Sequence, residues 1–210
     1  MQVKLLQSNP QGEHLAYIGA ATCVGKANTP SVKGFQHAVE SGHYSILEHL
    51  PMTFLIEDVS RSLTHQLVRH RIASYSQESQ RYTKLNSGVQ WFVIPDSIVE
   101  KGLFEEYLFL MDNIANFYHM ATSAGVPKED ARFVLPNAAH TTILMTMNAR
   151  TFIEVASRRL CNRAQWEIRQ LFNNMREQIK DVYPTVYELA KPPCANGACM
   201  EHNPCGNPWS

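Results

Sequence analysis

Apolar positions along this chain recur with two periods, and the periods divide it into strands and helices. Val3-Lys4-Leu5-Leu6 reads as a short strand, and Glu13 to Lys26 carries Leu15, Ile18, Gly19, Thr22 and Cys23 at helical spacing. A second helix, Ser31 to Glu40, has Ser31 as N-cap and Phe35 and Val39 four apart. Thr53 to Val59 is rich in strand formers, and Ser60 then caps a helix carrying Leu63, Leu67 and His70. Tyr82-Thr83-Lys84 and Trp91-Phe92-Val93-Ile94 read as strands around the turn Asn86-Ser87-Gly88. Ser97 to Ser123 reads as one long helix stopped by Gly125 and Pro127, and Lys128 to Phe133 as a short one. Thr141 to Met147 alternates and β-branches like a strand, and Arg150 to about Ala190 reads as helix except near Pro184. Interspersed strands and helices predict an α/β (α+β) fold: a mixed, largely antiparallel sheet flanked by long helices in a single domain. That domain is expected to run over 1–191. Residues 192–210, rich in Asn, Gly, Pro and Cys, form a tail that should not be forced into the core.

Composition narrows the function classes. The 210 residues include 19 Lys+Arg and 19 Asp+Glu, so no global field draws the chain to nucleic acid or an anionic membrane, and any anion site is local. Apolar stretches such as Tyr107 to Met111 fall far short of the ~20 residues that cross a bilayer. Met1-Gln2-Val3-Lys4 does not open a signal peptide, which gives a cytoplasmic expectation. Of the five cysteines, Cys23 and Cys161 stand in apolar surroundings while Cys194, Cys199 and Cys205 crowd the tail. This is not a disulfide framework, and a reducing compartment fits.

Chemistry concentrates at 69–82, Arg69-His70-Arg71 followed by Ser74, Ser76, Ser79, Arg81 and Tyr82, with the first three on different faces of a helix end. Arg offers a planar fork for phosphate, hydroxyls add donors, and loop N–H groups complete a cradle. The bland alternative is a solvated basic face.

The spacing decides against it. Arg-His-Arg, seven residues, Ser79, one residue and Arg81-Tyr82 resembles the hallmark of flavin-dependent thymidylate synthases. Upstream, His43-Tyr44-Ser45-Ile46-Leu47-Glu48-His49 is similar to that family's His-x-Ser-x-x-Glu-His segment. Downstream, Ala131-Arg132-Phe133-Val134-Leu135-Pro136, Asn148-Ala149-Arg150, Arg159 and Ala164-Gln165-Trp166-Glu167 follow in the family's order. The resemblance covers roughly residues 15 to 190.

The resemblance implies reductive methylation of dUMP, with methylenetetrahydrofolate as carbon donor, NADPH as reductant and FAD as hydride carrier, in a homotetramer whose subunits share active sites. By similarity, His43, Ser45, Arg69, His70, Arg71, Gln77, Asn148, Arg150 and Glu154 would line the FAD site. Gln66, Arg69, Gln77, Ser79, Gln80, Arg81, Arg132 and Arg159 would bind dUMP, Arg81 and Arg132 at its phosphate. Two positions depart from some relatives: Ser76-Gln77 stands where those have Asn-Glu, and Glu154 where those have an amide.

Arg159 has an argument of its own. On a wheel from Phe152 it falls inside the core-facing stripe, with Arg158 on the polar side, and an inward charge requires an anion or a dedicated acceptor. An internal salt bridge to Glu129 or Glu154 would satisfy it. The family position instead polarises the uracil. Ser79 is a second catalytic candidate, although no general base stands beside it to make it a nucleophile. His43, His49 and His70 lack the two-imidazole spacing of a helical zinc site, and His49 reads as a core histidine. Cys194, Cys199, His202 and Cys205 are enough in number for zinc, but their spacing matches no standard knuckle, so no metal is assigned. The rival readings are a nucleic-acid module built on the Arg69 to Arg81 patch and a scaffold relative without chemistry.

Overall fold

The structure, a computed structural model, describes residues 1–85, 90–197 and 199–209. Strands β1 (Gln2–Gln7), β2 (Pro51–Ser60), β3 (Ser74–Gln77) and β4 (His140–Asn148) pair in the order β1-β2-β4-β3. The register between β2 and β4 is antiparallel. Thr53 and Thr146 hydroxyls meet at 2.9 Å, and the Arg61 N–H donates to the Ala139 carbonyl at 3.1 Å, so one index rises as the other falls. The helices of the described residues are α1 (His14–Cys23), α2 (Val32–Glu40), α3 (Arg61–Leu67), α4 (Asp96–Glu100), α5 (Phe104–Ser123), α6 (Lys128–Ala131), α7 (Ala149–Arg159), α8 (Trp166–Ile179) and α9 (Pro184–Leu189). The expected mixture of helices and antiparallel sheet is present.

Two compact units make up the chain. One contains residues 1–2, 56–66 and 76–143, the other 3–55, 67–75 and 144–210.

In the second unit the core forms where the apolar faces of two helices close over strand residues. The α8 stripe Ile168, Leu171, Phe172, Met175 and Ile179 is fully buried, as are Phe54 and Phe152, and Phe152 stacks between Phe54 and Phe172 with centroids 6.2 and 5.9 Å away. Tyr183 ties the chain start to this core: its hydroxyl donates to the Pro51 carbonyl at 2.9 Å and accepts from the Asn9 N–H at 2.6 Å. Buried Glu13 caps α9, accepting from the N–H groups of Thr185 and Val186 at 2.8 and 3.2 Å and from the Thr185 hydroxyl at 2.7 Å. Glu13→Ala leaves those donors without acceptors in a dry setting and is expected to cost roughly 2 kcal/mol in urea unfolding. A loss under half that would mean water replaces the carboxylate.

The first unit has a smaller aromatic core of Trp91, Phe92, Met111, Ala115 and Ala139, with Tyr107 edge-on to Phe92 at 5.7 Å and donating its hydroxyl to the Val93 carbonyl at 2.9 Å.

Capping serines behave as their chemistry requires. Ser31 Oγ accepts from the Gly34 N–H at 3.1 Å, and Ser60 Oγ from the Leu63 N–H at 3.0 Å. Several boundaries differ from expectation. Helix 97–123 is two helices, because Gly102 sits at φ +70 and breaks the run between α4 and α5. Helix 150–190 breaks between Leu160 and Gln165, where the Gln165 side chain accepts from the Glu167 and Ile168 N–H groups and starts α8 afresh. Pro184 begins α9, where its missing N–H costs nothing. Tyr82–Lys84 is turn, not strand, and Trp91–Ile94 contributes a single bridge, Phe92 to Ala139. The turn expected at Asn86-Ser87-Gly88 lies outside the described residues.

Candidate active site

The Arg-His-Arg segment does not end a helix. α3 stops at Leu67, and the following loop is held by Tyr75, whose hydroxyl lies 3.0 Å from the Leu67 carbonyl and 2.9 Å from that of His70, sharing one proton between them. Burial pushes the Tyr75 phenol up to about 12, so it stays a donor at any working pH. β3 makes this possible. Its alternation turns Tyr75 and Gln77 inward and leaves Ser74 and Ser76 exposed, a pattern legible only once the polar run Ser-Tyr-Ser-Gln is known to pair. Tyr75 is thus a positioning residue that the sequence reading passed over.

In the second unit, Arg69 and Arg71 are exposed while His70 is half-buried. Arg159 at the end of α7 donates its Nε–H to His70 Nε2 at 3.0 Å. A guanidinium cannot accept, so His70 Nε2 carries the lone pair and Nδ1 the proton. Burial, then Arg159 and Arg158, hold the His70 imidazole down at about 4 from its ordinary 6.5. Below pH 6.5 an unfolded chain takes up a proton that the folded chain refuses, so this group lowers stability as pH falls from 6.5 to 4 and adds nothing further below. Following the His70 ring protons by NMR should give a midpoint near 4, rising part of the way back in Arg159→Ala because burial, the larger cause, remains. A midpoint near 6.5 in the unaltered protein would refute the contact.

The inward position expected for Arg159 holds: it is half-buried and Arg158 exposed. Burial first and Arg158 second lower its pKa. The two carboxylates considered as its partners are engaged elsewhere, Glu154 with Arg150 at 3.2 Å and Glu129 with Arg81 at 3.0 Å. Arg150 also grips Glu48 at 2.7 Å, joining the His43–His49 segment to the first turn of α7. Asn148 is the N-cap of α7, its Oδ1 accepting from the Thr151 N–H at 2.9 Å. His43 and Ser45 share a cavity of about 460 Å³ with Lys26 and His37, residues of the α1–α2 region that sequence reading did not select. Their signal was the small-residue pair Ala20-Ala21, which opens that space. His49 is exposed and lines a groove beside Leu15 and Ile18, so the expectation of a core histidine fails. Cys23 is exposed as well, on a groove it shares with the apolar residues Leu15, Ile18 and Ile46.

In the first unit, Ser79 Oγ accepts from the Arg81 N–H at 3.3 Å, and Glu129 gathers the two expected phosphate arginines, Arg81 on its carboxylate and Arg132 Nε on its carbonyl at 3.0 Å. The Arg81–Glu129 pair is half-exposed on both sides, and such pairs contribute about 1 kcal/mol or less, so Arg81 can be handed to another anion at little cost. Gln77 donates to the hydroxyls of Thr64 and Thr141 at 2.9 and 3.3 Å, and Gln66 to the Ser62 carbonyl at 3.4 Å. Gln80 lines a cavity of about 250 Å³ with Arg61, Glu78, Lys84, Trp91 and His140. Arg61 was not anticipated. Its Nη2 donates to the Glu78 carbonyl at 2.6 Å, while its Nε is buried without a partner among the described residues. An orphaned guanidinium N–H in a pocket with Lys84 suits an anionic ligand.

No three His, Cys, Asp or Glu side chains among the described residues come together to hold a metal. No helix of the described residues is long and apolar enough to cross a membrane.

The fold is a mixture of helices and antiparallel sheet, with cationic side chains gathered in each unit. Residues 4–185 match the family described as thymidylate synthase complementing protein. The chain is 44% identical to a flavin-dependent thymidylate synthase of Geobacter sulfurreducens, over 96% of this chain and 91% of that protein. It is 38% identical to one of Clostridium tetani over the same shares. Among solved structures, thymidylate synthase X of Helicobacter pylori with FAD and dUMP aligns with a TM-score of 0.75 at 23% identity, over 90% of this chain and 98% of that one, a likeness of fold. The chain belongs to the flavin-dependent thymidylate synthase family.

Proposed function

We propose that the chain methylates dUMP to dTMP, with FAD as its cofactor and methylenetetrahydrofolate and NADPH as cosubstrates. Family membership over nearly the whole chain carries this reading, together with an arginine at the end of α7 that is half-buried and held by a neutral histidine. The donor set fits a flavin dinucleotide: His43 and Ser45 share a cavity with the cation Lys26, and the guanidiniums of Arg69 and Arg71 are exposed, able to meet a pyrophosphate. Flavin supplies hydride transfer when bound; positioning and charge are the protein's part.

In this reading His70, Asn148 and Arg150 wall the flavin side, with Glu154 and Glu48 orienting Arg150. Arg81 exchanges Glu129 for the nucleotide phosphate, joined by Arg132 and the Ser79 hydroxyl. Gln66, Gln77 and Gln80 supply amides toward the nucleotide. Arg159 faces the pyrimidine and stabilises the negative charge that develops on it, which makes a serine nucleophile unnecessary. His70 being neutral, it adds no second positive charge against Arg159. Subunits of a homotetramer would share these sites, in the cytoplasm.

The test is the visible spectrum of purified protein with FAD, then with dUMP, then with NADPH under anaerobic conditions. Flavin absorption that shifts with dUMP and bleaches with NADPH is expected. Protein that holds no FAD at any concentration tried would remove the reading.

A further inference from the structure

Residues beyond the last position matched by the family fold back onto the connection between α7 and α8. Pro193–Asn196 forms a 3-10 turn, after which Arg163 Nη1 donates to the Asn203 carbonyl at 2.6 Å and Asn162 Nδ2 to the Asn207 carbonyl at 2.9 Å. Near the end, the Trp209 N–H donates to Cys194 Sγ at 3.5 Å, and the Arg176 guanidinium lies 5.2 Å from the Trp209 ring. The tail is therefore a strap with defined anchors.

Strap and helix end line an open cavity of about 600 Å³. Three of the five cysteines line it: Cys161 from the α7–α8 connection, and Cys194 and Cys199 from the strap. All three are partly buried, whereas Cys23 and Cys205 are exposed. Sequence order hides this, because Cys161 stands far from the cysteine-rich tail it meets. Arg158, Arg159 and Arg163 line the same space with one carboxylate, Glu201, so positive charge outweighs negative there and opposes a bound metal cation. Thiols that share a cavity disfavouring cations have a different use.

We propose that Cys161 and a strap thiol sharing its cavity, Cys194 or Cys199, form a reversible disulfide that pins the strap to the end of α7. The oxidant is a peroxide. One thiolate attacks a peroxide oxygen and breaks the O–O bond, leaving a sulfenic acid and one water; the second thiol then displaces the hydroxyl as a second water while the S–S bond forms. Two electrons pass from sulfur to oxygen, and a dithiol reverses the reaction by exchange. Arg159, assigned to the pyrimidine above, lines this cavity, but the test below reads a bond between cysteines and no turnover, so it stands or falls apart from the proposed activity.

Peptide mapping tests it. Trypsin releases Cys161 within Leu160–Arg163 and all three tail cysteines within Asp181–Ser210, since Lys191 precedes a proline. Folded protein treated with stoichiometric hydrogen peroxide, alkylated and digested should give these two peptides joined. The protein should run as a single chain on a non-reducing gel, and the link should persist in Cys205→Ser. Protein oxidised in guanidinium chloride should instead give mainly bonds within the tail, whose cysteines are nearest in sequence. A folded protein that forms only tail-internal bonds, links chains together, or loses the Cys161 link in Cys205→Ser would overturn the proposal.

Discussion

Arg159→Ala is expected to bind flavin and fold as the unaltered protein does, while turnover of dUMP falls about a hundred- to a thousandfold, the usual cost of losing one preorganised donor to developing charge. The fall should sit in kcat more than in KM, because the guanidinium acts on charge that is absent from the bound substrate. His70 Nε2 loses its donor in this variant, but the ring is half-exposed and water can take the vacant place. Arg158→Ala is the control: its side chain is exposed on the same turn of α7, and turnover should change little. Equal losses in both variants would mean that general positive charge matters and not the position of one guanidinium. Unchanged turnover in Arg159→Ala would end its assignment.

Phe152→Ala should cost about 3–5 kcal/mol in urea unfolding. The ring is fully buried and stacked on both sides, so truncation leaves a void that Phe54 and Phe172 cannot both close. Against a total stability of about 5–15 kcal/mol for ordinary proteins, that is a large fraction. α7 also carries Arg150, Glu154 and Arg159, so a surviving fraction should show weaker turnover than its folded population accounts for. A loss under about 1.5 kcal/mol would show that the helix settles into the gap.

Local chemistry made part of this legible. Ser31 and Ser60 cap helices because a serine oxygen ahead of an apolar stripe has N–H groups within reach whatever the rest of the chain does. Thr141 to Met147 alternates because one face of β4 is buried, with Thr141, Ile143, Met145 and Met147 inside. The inward place of Arg159 followed from helix geometry alone. By contrast, β3 was invisible: Ser-Tyr-Ser-Gln has no apolar period, and its strand exists only through pairing with β4. Helix ends differ from expectation at Leu67, whose carbonyl accepts from the Tyr75 hydroxyl, at Leu160, after which the Gln165 side chain starts α8 afresh, and at Gly102, whose positive φ is a local signal the reading passed over. His49 was read as a core histidine once a zinc site was set aside, but the 3-10 turn Tyr44–His49 leaves it exposed while Leu47 and Leu50 beside it are buried.

Periodicity, capping and motif spacing are properties of neighbouring residues, so the sequence alone determined the main strands and helices, the family and the roster of candidate side chains. Which of those side chains meet is a matter of long-range packing. Arg159 against His70, Arg81 on Glu129, Tyr75 holding the Arg-His-Arg loop and Cys161 beside the tail all join residues that no local period relates. Only the tertiary structure decided them, because the free energy that chooses such partners comes from burying many side chains at once.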